Sequence, residues 1–194
     1  MALPSIQVRL RDLHLSIDQL SSLTATNADR RFENAFNELK LVRATLAWES
    51  YLEETFICYL RGSRPISGRA VALSQPTVRN RLDATSLAIS DSGLYGKWLN
   101  ENWCLSRAAA LFSGSHPFVI LSSPTFPIIR HIRNRIVHRS DFAKAEFWSV
   151  VVSLYGSMRP GMTPGRLLTE SSSGVRRIDA YFGFLKNAAT IIAT

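Results

Sequence analysis

Within the stretch IIRHIRNRIVHRSDF, residues 128–142, the residues Arg133, Asn134 and His138 bring a guanidinium, a carboxamide and an imidazole close together in the chain. A guanidinium stays protonated and grips non-bridging phosphate oxygens with its planar fork of donors. An imidazole exchanges protons near neutral pH. The combination suits metal-free cleavage of RNA, which must remove a proton from the 2′-OH, stabilise a phosphorane and protonate the departing 5′-oxygen. Asn134 would orient the phosphate or the imidazole by hydrogen bonding. Arg130, Arg135 and Arg139 surround the set as candidate RNA-binding residues.

These side chains need a helix to position them. At 100° per residue, Ile128, Ile129, Ile132 and Ile136 fall within an arc of about 100°, a core-facing stripe that leaves Arg130, Arg133, Asn134 and His138 outside it. Asn134 and His138 are four apart and stack on adjacent turns. Arg133 lies about 140° around the helix from His138, so one straight helix would not aim both at one atom. Either the helix breaks near HRSD, or a second copy of the chain completes the set across a two-fold axis.

The remaining chain reads as further helices. Ile6, Leu10, Leu13, Ile17 and Leu20 predict an amphipathic helix over residues 4–23. Asn27 offers an N-cap to a longer helix over 28–60, with its apolar face traced through Phe32, Phe36, Leu39, Val42, Leu46 and Leu52. Residues 62–94 read as a long connection with a short helix around 77–87. Further helices are predicted over 94–112, 142–154 and 175–192, with YGSMRPGMTPG as a loop. The expected fold is all-α, a bundle of about five to six helices in a single domain over 1–194. Its long connecting loop lies between the second and third main helices.

Composition narrows the partners. Of 23 basic residues against 15 acidic ones, 19 are Arg, the better phosphate binder. Two stretches, 55–82 and 102–140, hold five Arg each and no acid, and folding that joined them would make a cationic face for an anionic polymer. No apolar run reaches the roughly 18 residues of a spanning helix, and MALPSIQVRLRDL lacks the apolar core of a signal peptide, so a cytoplasmic protein with no membrane association is expected. Cys58 and Cys104 have no metal or CxxC spacing and read as buried, reduced thiols.

RNRIVH, residues 133–138, with an aliphatic stripe before it in an all-α chain of this size, resembles the Arg-x4–6-His motif of the HEPN superfamily. LVRATLAWESYLEETFICYL, residues 41–60, looks like the second helix of the RiboL-PSP-type branch. The resemblance implies a metal-independent endoribonuclease of toxin or defence systems, acting as a homodimer with a composite active site. Its products would carry 2′,3′-cyclic phosphate and 5′-hydroxyl ends. It implies Arg133 and His138 as the catalytic pair, Asn134 as the polar residue beside the arginine, and Glu49 as an accessory residue near the cleft. The chain lacks a tyrosine two residues after His138, so an adenylylating antitoxin is not implied. The expected restraint on such an enzyme is an antitoxin, another regulatory partner protein, or an activation signal.

Two other readings use the same residues. One is a non-catalytic HEPN-like module that binds RNA or protein through the basic face. The other is a structural helical protein in which Arg133 and Asn134 bond across a dimer interface. His131 reads as a flanking surface residue with no acid beside it, His116 as a loop residue, and His14 as lying on the polar side of the first helix. No His, Asp or Glu set has metal-ligand spacing, and no P-loop, GxGxxG, GxSxG or HExxH occurs, so no metal or cofactor is expected. Trp98, Trp103, Tyr51 and Tyr59 read as core residues more readily than as base-stacking ones.

Overall fold

The computed structural model describes residues 5–24, 29–68, 70–89 and 97–194, and over these the chain is all-α. Its helices are α1 (Ile6–Ser22), α2 (Arg30–Leu60), α3 (Arg81–Ile89), α4 (Glu101–Leu111), α5 (Thr125–Val137), α6 (Asp141–Tyr155), α7 (Pro164–Thr169) and α8 (Arg177–Ala193). A 3-10 helix spans Pro117–Ser122, and a short antiparallel hairpin pairs β1 (Ser171–Ser172) with β2 (Val175–Arg176). The chain forms two compact units. One comprises Met1–Ser16, Ala47–Ser123 and Leu185–Thr194, the other Ile17–Leu46 and Pro124–Phe184.

Local chemistry sets the element ends. The expected cap Asn27 lies outside the described residues, and Asp29 accepts the Phe32 N–H at 2.8 Å at the start of α2. Gly62, at φ 80°, closes that helix, donating its N–H to the Tyr59 carbonyl at 2.9 Å. The expected short helix around 77–87 is α3, entered through Asn80, whose side chain accepts the Asp83 N–H at 2.8 Å. Of the helix expected over 94–112, residues 94–96 lie outside the described residues and 97–100 are not helical; α4 begins at Glu101, where Asn100 takes the Trp103 N–H at 3.0 Å and Trp98 is buried in the turn before it.

The first unit is built on aromatic packing. Phe56 stands 4.9 Å, ring centre to ring centre, from both Phe112 and Phe118. Tyr51 and Tyr59 donate their hydroxyls to the carbonyls of Ala189 and Ile192, which ties α2 to the end of α8. Cys58 and Cys104 are buried, as expected. Glu54 draws together Arg9, at 3.0 Å, and Arg81, which bonds it through both ends of its guanidinium.

In the second unit α5 packs against α6 and α7 around Ile129, Ile132, Phe147, Val151 and Leu168, all buried. The face of α2 differs here from the sequence reading. Phe32, Leu39 and Leu46 are 57, 53 and 45% exposed, while the opposite side, with Asn37, Lys40, Leu41 and Ala44, is buried. The sequence pattern suggests the other phase because this helix is apolar on two sides and its buried face includes the polar Asn37, Lys40 and Thr45. Asn37 donates to Thr169 at 3.1 Å and Lys40 to the Leu23 carbonyl at 3.1 Å, so each buried polar head has a partner. Burial lowers the Lys40 pKa, with Arg176 adding to the effect.

Candidate active site

Helix α5 is anchored through Phe126, Ile129 and Ile132, while Ile128 and Ile136 at the edges of the stripe are half-buried. The helix stops at Val137. His138 is already extended, at φ −115° and ψ 130°, with its N–H on the Asn134 carbonyl at 2.8 Å. Two residues on, Ser140 starts α6 by accepting the Ala143 N–H at 3.2 Å. Of the two alternatives the spacing left open, the break at HRSD is present in a single chain. His138 is thereby freed from the helical phase that would point it away from Arg133.

Arg133 is half-buried and donates from Nη1 to the Asn134 side-chain oxygen at 3.4 Å, while its Nε is buried without a hydrogen-bond partner. The His138 side chain is exposed. Arg135 and Arg139, with Ile136 between them, line a cleft of about 330 Å³ closed by Glu38, Thr163 and Pro164. Glu38 accepts the Gly165 N–H at 2.7 Å, at the N-terminus of α7, so a backbone donor holds part of its charge away from the two arginines.

Glu49 belongs to the first unit, half-buried, where its charge helps burial to raise the Cys104 pKa; the Arg133–His138 segment lies wholly in the second. His131 is not a surface flank without an acid. Glu146 reaches it from α6, with Oε1 3.1 Å from Nδ1, and Arg130 Nη1 lies 3.8 Å from the same oxygen. Glu146 is fifteen residues away in the chain, a distance at which no local periodicity links two side chains. Tyr51, Tyr59 and Trp98 are buried, and Trp103 packs edge-on against Trp98 at 5.0 Å. His116 precedes the 3-10 helix, its pKa lowered by burial, and His14 Nε2 lies 3.1 Å from the Lys186 carbonyl oxygen.

Among the described residues no group of three or more His, Cys, Asp or Glu is arranged to hold a metal ion, and no helix is long and apolar enough to cross a membrane. Compared with family models, with curated proteins and with solved structures, the chain has no match.

Proposed function

We propose that the protein is a metal-independent endoribonuclease of the HEPN type, working in the cytoplasm in a toxin or defence role. The observation that carries this reading is the end of α5 at Val137. It leaves Arg133 on the helix and lets His138 depart from it, with Asn134 bonded to both. Arg133 neutralises the charge that builds on the phosphorane, and His138 exchanges a proton with the ribose or with the leaving oxygen. Arg135 and Arg139, on the cleft beside the motif, grip flanking phosphates, and Arg130 serves as a supporting residue. A regulatory partner or antitoxin restrains the activity.

The homodimer belongs to the same reading. In the motif's own unit Phe32, Ala35, Leu39, Val42 and Leu46 repeat as the a and d positions of two heptads, and three of them are large, exposed apolar residues. In a parallel pair of α2 helices Glu38 would meet the other copy's Arg43, the favourable g-to-e pairing. Covering this stripe gives a second copy a reason to bind.

The test is cleavage of labelled single-stranded and structured RNA by the wild type and His138→Ala in EDTA, with the ends mapped. The reading expects cutting by the wild type alone, leaving 2′,3′-cyclic phosphate ends. Salt-sensitive RNA binding by both with cutting by neither overturns it in favour of a non-catalytic RNA-binding module. That second reading draws on the exposure of His138, whose ring makes no hydrogen bond to the described residues.

A further inference from the structure

Tyr51, Tyr59 and Trp98 are buried, while Phe142 is 73% exposed in the first turn of α6, four residues after His138. Nothing in α6 requires a ring there. Ser140 already caps the helix, Asp141 supplies the acid that a first turn favours, and the buried face runs through Ala143, Phe147, Val150 and Val151. The position that an apolar staple would use at this helix start is Lys144.

The packing of the two helices brings the ring to the motif. α6 folds back along α5, and the contact of His131 with Glu146, 3.1 Å across the seam, sets their register. Asn134 lies three residues beyond His131, and Phe142 lies four residues before Glu146, which in an antiparallel pair is the same direction. Their levels along the pair therefore differ by only about 1.5 Å. Asn134 stands about 60° around α5 from His131 and Phe142 about 40° around α6 from Glu146, both turned to the same side of the seam. That is the solvent side, since Ile132 and Ala143 are buried on the other. A helical side chain also leans toward the N-terminus of its own helix, which carries the Phe142 ring toward the connector that holds His138.

An exposed aromatic ring among arginines is the combination that holds single-stranded nucleic acid, bases stacking on the ring while guanidiniums take the phosphates. We propose that Phe142 is a stacking platform for one unpaired base of the RNA flanking the cut. The proposal rests on the nuclease reading and names what the site selects in its substrate. Every base has a π-face, so the platform selects an unpaired nucleotide at that position and not a sequence. A base held level with Asn134, on the same side of the seam, sets the strand in place relative to Arg133 and His138. The charge around the ring favours a polyanion over a second copy of the chain. Between Arg133 and Phe142 there are three arginines and one acid, so a like-charged copy laid on this end of the pair would be repelled.

The experiment measures cleavage in EDTA of an oligoribonucleotide with a mapped cut site by the wild type, Phe142→Ala, Phe142→Leu and Phe142→Trp. The substrate is used intact and with an abasic nucleotide at each position flanking the cut in turn. At 73% exposure the substitutions leave the core alone, and an unchanged melting temperature checks this. The expected result is a KM raised about tenfold in Phe142→Ala with kcat little changed, since a stack made equally before and during the reaction is uniform binding. Phe142→Trp keeps the wild-type KM, and Phe142→Leu behaves like Phe142→Ala because it lacks the ring. At one position the abasic nucleotide costs the wild type about the same tenfold and costs Phe142→Ala little more, the coupling expected of two groups in contact. An active wild type whose KM is matched by Phe142→Ala, or an abasic penalty equal in both proteins, overturns the proposal alone. Sedimentation in which only the substituted chain is a monomer, with no abasic coupling, overturns it in favour of a second copy on the ring. A wild type that cuts none of these RNAs overturns the nuclease reading and the proposal with it.

Discussion

The backbone N–H of His138 donates to the Asn134 carbonyl at 2.8 Å, so the histidine closes the last turn of α5 while its own backbone is already extended. The Asn134 side chain accepts from Arg133 at the same time, at 3.4 Å. One asparagine therefore sets the start of the connector and the resting place of the guanidinium.

Replacing Asn134 with Ala keeps the backbone bond and removes the side-chain one. The contact is long, so its loss is worth on the order of 1 kcal/mol, up to about tenfold in cleavage rate. Initial rates should show that fall while the melting temperature moves by less than about 2 °C, since α5 keeps its hydrogen bonds and its buried isoleucines.

Ser140 caps α6 only two residues beyond His138. Ser140→Ala should destabilise the chain by about 1 kcal/mol, read from urea unfolding, and Ser140→Asp should restore most of that loss. If Ser140→Ala unfolds at the wild-type urea concentration, the cap is not holding this end of the helix.

At Gly165 a side chain has no room. An added Cβ would lie 2.5 Å from the Asn34 carbonyl oxygen, which is backbone and cannot swing aside. Gly165→Ala should therefore push α7 off α2 and cost about 1–3 kcal/mol, measured by chemical denaturation. It should also lengthen the Glu38 bond to the Gly165 N–H, since that bond crosses the same contact.

The acid dependence of stability should reside partly in two neighbouring carboxyls of opposite behaviour. The hydrogen bond from Arg81, aided by the charge of Arg9, holds Glu54 below its ordinary 4.5 against the effect of burial. Its contribution is present above that value and is lost as pH falls through the lowered one. Glu53 is pushed up by burial and by the Glu54 charge, so the folded form binds its proton first and gains stability as pH falls toward the ordinary value. Between about pH 6 and about pH 3 the melting temperature of Glu54→Gln should fall less than that of the wild type, and that of Glu53→Gln should fall more.

Elements with a single apolar stripe were legible in the sequence. α1 and α5 follow their three- and four-residue spacing, and the possibility of a break at HRSD came from the 140° between Arg133 and His138. α2 was found as a helix but read on the wrong side, because Phe32, Leu39 and Leu46 outweigh a buried face that includes Asn37 and Lys40. The start of α4 was misplaced because Trp98 fits a helical period yet belongs to the turn that Asn100 ends. The β1–β2 hairpin is too short to show alternation and depends on Ser173 and Gly174 at positive φ. The Glu146 contact to His131 arises only when α6 folds back on α5, so spacing along the chain held no trace of it.

The two compact units take their residues from five alternating segments of the chain. No single cut therefore yields either of them whole. Neither unit can be exchanged by joining one stretch of gene to another, or expressed as a contiguous fragment. Whatever the segment around His138 does, selection acts on it together with the aromatic-rich unit that shares its helices.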